Sequence, residues 1–459
     1  MRMNRVASRA FIVLVLVLGL LGGTVFFVAE YAMKADRWVM TAGTPQVEEK
    51  EGISLGYVTD RDGRILLQMG ADRSYSSDLL IRRACLHWVG DRAGNIASGI
   101  INHYTKELLD YSKITGTYHY GDAVGQLKLT LDAEVQAAAQ QAMGDLVGTV
   151  AVFNYETGQL VCAVSGPNFD PDDVPDIEND TTGAWNGVYV NRFMRSKYIP
   201  GSIFKIVTLA AALESIPDAQ SLTFECAGSL PVGNGQVTCE APHGVQTLKE
   251  AFANSCNCAF GQLTLQLGKD TMNRYIQQFG LMEAVSFDGL STVKGNYDVS
   301  QAGSESFAWS GIGQYTDLVN PCAFLRFVGA IANDGVAVQP YVVEQVSVGS
   351  EVTYTASPGE TGRILSITTA QTLREYMGNN VDVTYGAWNF PELSVCAKSG
   401  TGEVGGGKRP NAMFTGFLTD AELPLAFIAC VEEGGYGAAT CMPVLNQVLQ
   451  ACRAAILPE

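Results

Sequence analysis

Pro200-Gly201-Ser202-Ile203-Phe204-Lys205-Ile206-Val207-Thr208-Leu209-Ala210-Ala211-Ala212-Leu213 is the stretch from which the rest of the chain is read. Pro200-Gly201 closes an irregular segment, and the residues from Ser202 up to Pro217 are strongly helical in composition and almost wholly apolar. A helix that is apolar all round is a buried one. Ser202 falls in its first turn, near the positive end of the dipole, and Lys205 lies three residues on along the same face. A lysine inside such a helix is costly unless it is neutral or paired. The structural alternative is a capping serine followed by a lysine that snorkels to the surface. The chemical one is a nucleophile and its base. Burial and a nearby second cation both lower a lysine's pKa, leaving a free amine to take the hydroxyl proton.

Two later motifs supply what such a pair needs. Ser255 and Asn257 flank Cys256, a spacing that points both side chains the same way in an extended or looped segment. A hydroxyl there can pass a proton to a leaving amine, and a carboxamide can hold a peptide backbone. Read alone, Asn254-Ser255-Cys256-Asn257 is a helix cap or turn. Further on, a strand expected from Leu393 ends in Lys398-Ser399-Gly400-Thr401 and runs into Gly402 and the Gly405-Gly406-Gly407 loop. Lys398 is the candidate second cation. With the hydroxyls of Ser399 and Thr401 it suits a substrate carboxylate, and Gly400 lets a ligand approach the strand edge. Read alone, this is a surface lysine beside a flexible hairpin. The ordered set of three describes a serine acyl-transfer site.

The 459 residues carry a net charge of -17, which argues against nucleic acid as a partner. Ala10–Ala29 is an uncharged apolar run that would span about 30 Å as a helix, one bilayer crossing. Arg2, Arg5 and Arg9 precede it and Glu30 and Asp36 come after it, so the positive-inside rule keeps the N-terminus cytoplasmic and the remainder outside. The run is long for a signal peptide, and Ala29-Glu30-Tyr31 lacks a small-x-small cleavage site, so it is read as an uncleaved anchor. The eleven cysteines, an odd number, cannot all pair with one another. Cys226 and Cys239 flank a turn with Gly228, Gly233 and Gly235, and are either a small disulfide loop or two thiols. Cys256 and Cys258, one residue apart with no C-x-x-C elsewhere, suggest no metal site. No cofactor is indicated. The acidic loop from Asn168 to Gly183 has no glycine where a calcium loop turns, so it reads as solvated.

From Glu30 to about Gly125 the pattern is irregular, with a hairpin expected at Asp60-Arg61-Asp62-Gly63, and is read as a stalk or pedestal. Leu127-Lys128-Leu129-Thr130-Leu131 alternates like a strand, and Asp132 caps a helix expected over Ala133–Leu146. Strands are expected at Thr149–Asn154 and Gln159–Ser165, around the Glu156-Thr157-Gly158 turn. More are expected at Leu393–Lys398, Ala412–Leu418 and Leu425–Glu432, then a helix at Pro443–Ile456. Strands at both ends, with helices between and beyond, predict an α+β architecture. The division expected is a tail at 1–9, an anchor at 10–29, a pedestal at 30–125 and a main domain at 126–459.

The three motifs together resemble those of a class B penicillin-binding protein, a peptidoglycan D,D-transpeptidase. Leu129-Thr130-Leu131-Asp132 with Gln136, Tyr155-Glu156-Thr157-Gly158, Ser165 to Pro171, Asn191-Arg192 and Ala332-Asn333-Asp334-Gly335 resemble family signatures in family order. Asp60-Arg61-Asp62-Gly63 and His87-Trp88-Val89-Gly90 are a weaker echo. Two departures stand out: Gly313-Gln314-Tyr315 where relatives have G-Q-G, and Ser399 where many have threonine. The resemblance implies an antiparallel sheet flanked by helices, with a helical subdomain. It implies Ser202 as nucleophile, Lys205 as its base, Ser255 as proton relay and Asn257 on the substrate amide. Lys398, Ser399, Gly400 and Thr401 would form the carboxylate-binding strand. The implied oxyanion donors are the N–H groups of Ser202 and Thr401. The substrates would be peptidoglycan stem peptides ending in D-Ala-D-Ala, β-lactams would acylate Ser202, and no histidine is required. Since class B proteins lack a glycosyltransferase domain, a SEDS-type glycosyltransferase is the implied partner at the membrane. A D,D-carboxypeptidase, a β-lactamase-like hydrolase and a catalytically silent scaffold remain open alternatives.

Overall fold

The computed structural model describes residues 2–38, 47–48, 56–69, 73–108, 110–112, 117–119, 124–357 and 359–457. Parts of the expected pedestal therefore lie outside the described residues. A helix over Arg2–Trp38 opens the chain, and its Arg9–Met33 stretch is long and apolar enough to cross a membrane, with none of it buried.

Five antiparallel strands form the centre, in the spatial order Val395–Gly402, Asn411–Leu418, Leu425–Val431, Gly148–Asn154, Leu160–Gly166. Both faces of this sheet are covered. Val150, Val152, Phe414, Leu425 and Phe427 pack in one core with Val444, Leu445, Val448 and Leu449 of the Gly437–Ile456 helix. Ala151, Phe153, Met413, Phe417 and Ile428 pack in the other, with Phe324, Phe327 and Val328 of the Pro321–Ala332 helix. That double burial explains why Leu425–Val431 and most of Gly148–Asn154 and Leu160–Gly166 read as apolar runs and not as an alternation. The Lys205–Ser215, Asn257–Leu267, Lys269–Gln278 and Ser304–Ser310 helices pack together as a helical group.

A six-stranded sheet joins Glu351–Thr355, Val343–Val348, Gly125–Leu129, Tyr57–Thr59, Ile65–Gln68 and Ser74–Tyr75 in that order. The Asp60–Gly63 turn links an antiparallel hairpin as expected, with Gly63 at φ 87° and Asp60 Oδ1 accepting from the N–H of Asp62 and Arg64. The boundary placed at residue 125 runs through this sheet: Tyr57–Thr59 pairs in parallel with Gln126–Lys128. The reason is a shared apolar core: Val58 and Leu67 of the early strands pack with Leu127 and Leu129. The acidic loop is tied down at one end, where Arg82 grips Asp170 with two hydrogen bonds of 2.6 Å.

Candidate active site

Ser202 sits in a 3-10 turn over Gly201–Phe204, and the α-helix itself starts at Lys205, a turn later than composition suggests. Gly201 makes the turn possible. Its φ is 51°, its N–H donates to Gly313 O at 2.9 Å, and a Cβ there would lie 2.2 Å from Thr401 O. The first and third motifs are thereby pressed together, backbone to backbone.

Lys205 is fully buried among Ile203, Phe204, Ile206 and Val207. Four oxygens surround its Nζ: Ser202 Oγ at 3.0 Å, Ser255 Oγ at 3.1 Å, Asn257 Oδ1 at 2.8 Å and the Ser255 carbonyl. Two of these can only accept. A neutral amine fits the set, giving its two hydrogens to the Asn257 and Ser255 carbonyl oxygens and keeping its lone pair for a hydroxyl proton. Electrostatics agree. Burial, then the charge of Lys398, hold the Lys205 pKa well below that of an ordinary lysine.

Lys398 is also fully buried, in the edge strand Val395–Gly402, and its Nζ donates to Ser255 Oγ at 3.0 Å and to Ser399 O at 3.0 Å. One hydroxyl, that of Ser255, thus stands between both lysines. Burial lowers the Lys398 pKa to about 7, with Glu240 pulling the other way. The close approach that Gly400 allows is to the chain's own backbone, since a Cβ there would meet Pro200 O at 2.5 Å and Ile203 N at 3.0 Å. Gly400 also lines the cleft, where a ligand would meet the strand.

Ser255 occupies a left-handed backbone position, φ 51°, between the Leu248–Ala253 and Asn257–Leu267 helices. Such a conformation at a non-glycine residue costs roughly 1–3 kcal/mol and persists where the surroundings enforce it. Asn257 opens the second helix instead of lying in an extended segment. Both ends of its carboxamide are engaged, Oδ1 with Lys205 and Nδ2 donating to Thr238 O at 2.9 Å. A residue that sequence reasoning missed is Tyr385, whose hydroxyl donates to Ser399 Oγ at 3.0 Å and accepts from Ser399 N–H at 2.8 Å. Gln314, in the divergent turn, donates to Thr401 O at 3.4 Å.

Ser202, Ser255, Asn257, Ser399, Gly400 and Thr401 line one cleft of about 1170 Å³, with the two lysines buried beneath its floor. A serine with a buried amine at hydrogen-bonding distance, a hydroxyl shared between two lysines and a second amine at the strand edge are equipped for acyl transfer.

Known proteins have this arrangement of strands and helices. The D,D-transpeptidase domain of a peptidoglycan glycosyltransferase from Eggerthella lenta is similar with a TM-score of 0.77 at 26% identity, over 88% of this chain and 99% of that one. Penicillin-binding protein A from M. tuberculosis, solved as its ceftriaxone acyl-enzyme complex, shares the fold with a TM-score of 0.75 at 23% identity, over 87% and 98%. Peptidoglycan D,D-transpeptidase PbpA of Mycolicibacterium smegmatis is 29% identical over 346 residues, 68% of this chain and 68% of the relative. Stage V sporulation protein D of Bacillus subtilis is 28% identical over 294 residues, 60% of this chain and 41% of the relative. Residues 148–450 match the penicillin-binding protein transpeptidase domain. Since that span takes in all three motifs, from Ser202 to Thr401, the chain belongs to the family of penicillin-binding protein transpeptidases.

Proposed function

We propose that the protein is a peptidoglycan D,D-transpeptidase that works through a Ser202 acyl-enzyme. The observation that carries this reading is the buried Lys205 amine, 3.0 Å from Ser202 Oγ and held below its ordinary pKa. Lys205 takes the Ser202 proton as Oγ attacks the carbonyl of the penultimate D-Ala. The N–H groups of Ser202 and Thr401 hold the oxyanion. The C–N bond to the terminal D-Ala breaks, and Ser255 passes the proton from Lys205 to the leaving amine. Lys398, Ser399 and Thr401 bind the terminal carboxylate. Asn257 keeps Lys205 in place and meets the substrate amide once its carboxamide is released. An amine of a neighbouring stem then attacks the ester, forming the cross-link and restoring Ser202. β-Lactams enter the first half of this sequence and stop there.

The Arg9–Met33 helix serves as a single membrane anchor in this reading, with residues 1–9 cytoplasmic and the domain from 126 onward outside. The pedestal and the anchor are the surfaces offered to a SEDS-type glycosyltransferase. A D,D-carboxypeptidase would use the same residues and differ only in taking water as the acceptor.

The test uses the full chain in detergent, incubated with a penicillin and analysed by intact mass, with and without Ser202→Ala. A stable adduct lost in the variant supports the reading, whereas rapid turnover points to a hydrolase and no adduct to a silent scaffold. Comparing cross-linked dimer with free D-Ala then separates transpeptidase from carboxypeptidase.

A further inference from the structure

Three cysteines and a histidine from three separate segments meet beneath the second motif. Cys226 ends the Thr223–Cys226 strand, Cys239 comes directly after the Gly235–Thr238 strand, His243 precedes Gly244–Thr247, and Cys256 caps the Asn257–Leu267 helix. Their ligand atoms all lie within 4.8 Å of one another. Cys239 Sγ is 3.9 Å from Cys256 Sγ and 3.6 Å from His243 Nδ1. Around a tetrahedral zinc, with Zn–S of about 2.3 Å and Zn–N of about 2.0 Å, the ligand atoms stand roughly 3.5–3.8 Å apart. A disulfide needs its sulfurs at about 2.05 Å. All eleven cysteines are free thiols, and a loop-closing bond between Cys226 and Cys239 is not formed.

We propose that Cys226, Cys239, His243 and Cys256 form a tetrahedral zinc site that fixes Ser255 and Asn257 in position. Spacing alone argues against a metal, because no two of these residues form a C-x-x-C pair; the fold assembles them. Backbone N–H groups already point at two of the sulfurs, from Asn257 to Cys239 at 3.3 Å and from Ala259 to Cys256 at 3.4 Å. Such donors stabilise thiolates, and the N-terminus of the 11-residue Asn257–Leu267 helix adds its dipole at Cys256. Three thiolates and a neutral imidazole suit a borderline-soft divalent ion, and binding releases the thiol protons to solvent. Cys258 Sγ reaches Val237 O at 3.9 Å and borders Cys226 and Cys239, but it is not one of the four ligand atoms that are all mutually close.

The local structure gives the ion a task. Among the described residues, the Ser229–Val232 and Gly235–Thr238 strands pair only with each other and bury one residue apiece, Val232 and Val237. A two-stranded ribbon of this kind is marginal by itself. It is nevertheless the ribbon that holds Asn257, through Thr238 O, and Cys256 is the middle residue of the motif. An ion on Cys239 and Cys256 would clamp ribbon and motif together.

The full chain, purified in detergent without chelators or an affinity tag that binds metals, should contain one zinc per molecule by elemental mass spectrometry. Cys258→Ser should retain it. Cys239→Ser and His243→Ala should bind added zinc more weakly by about 10–100-fold or more, with folding monitored by circular dichroism. Cobalt added to the metal-stripped chain should give thiolate charge-transfer absorption. Metal removal should slow acylation by a fluorescent penicillin, and zinc should restore it. Absence of both zinc and the cobalt–thiolate absorption in the folded chain would overturn the proposal. So would a Cys239–Cys256 disulfide in peptide maps, or loss of metal from Cys258→Ser. The metal count is independent of the acylation assay, so failure here leaves the transpeptidase reading standing, and the converse holds.

Discussion

Lys205 and Lys398 are set in carbon, on a helix and a strand whose neighbours Ile203, Phe204, Ile206, Val207 and Ala397 are wholly buried. Ser255, which both lysines touch, is set differently. Its wall is a short loop with a left-handed serine, a thin ribbon and a cluster of sulfur and imidazole. Hydrophobic packing fixes the helix and strand that carry the two amines and suppresses their charge with the same burial. Directional contacts fix the hydroxyl between them, and such contacts can be loosened without unfolding the sheet.

The largest effect expected is on the carbon-packed side: Ser202→Ala should give no acyl adduct, and Lys205→Met should slow acylation on the order of a thousandfold, read by stopped-flow with a fluorescent penicillin. Ser255→Ala, on the other wall, should cost about a hundredfold in the same assay while leaving the thermal midpoint nearly unchanged. Stability should sharpen the contrast. Phe427, wholly buried and stacked 6.4 Å from Phe414, should cost about 3–5 kcal/mol when changed to alanine. Val237→Ala in the ribbon should cost about 1–2 kcal/mol in denaturant melts, yet slow acylation more than Phe427→Ala does in molecules that remain folded.

The two lysines also differ in the pH at which they act. Acylation should rise as Lys205 sheds its proton, an event that burial and the charge of Lys398 shift well below the ordinary lysine range, and should fall as the pH passes about 7, where Lys398 loses its charge. A rate that kept climbing to alkaline pH would show that a charged Lys398 is not needed. The smallest effect is expected from Tyr385→Phe. Removing the donor to Ser399 Oγ, about 1 kcal/mol, should weaken β-lactam capture about fivefold.

Legibility in the sequence divides along the same line. The helix carrying Ser202 and Lys205 announces itself by an unbroken apolar run interrupted by one lysine, and the strands of the central sheet by their length and content. Those signals are local. The sulfur cluster is not, because its members are dispersed over three segments and only the pairing of Thr223–Cys226 with Gly244–Thr247 brings Cys226 near His243. Tyr385 lies in the irregular Val381–Tyr385 turn, with no periodicity to mark its aim at Ser399. The α-helix begins three residues beyond Ser202 because composition does not separate a 3-10 turn from an α-helix.

The mixed six-stranded sheet bears on how the protein should be handled for inhibitor work. Tyr57–Thr59 lies between Gly125–Leu129 and Ile65–Gln68, so a fragment begun near Gly125 would strip the neighbour from the strand that precedes the Ala133–Met143 helix and the active-site sheet. The exposed edge, with Leu127 and Leu129 uncovered, would invite aggregation. A truncated version for drug screening should keep everything from Gly56 onward, even though none of those early residues lines the cleft.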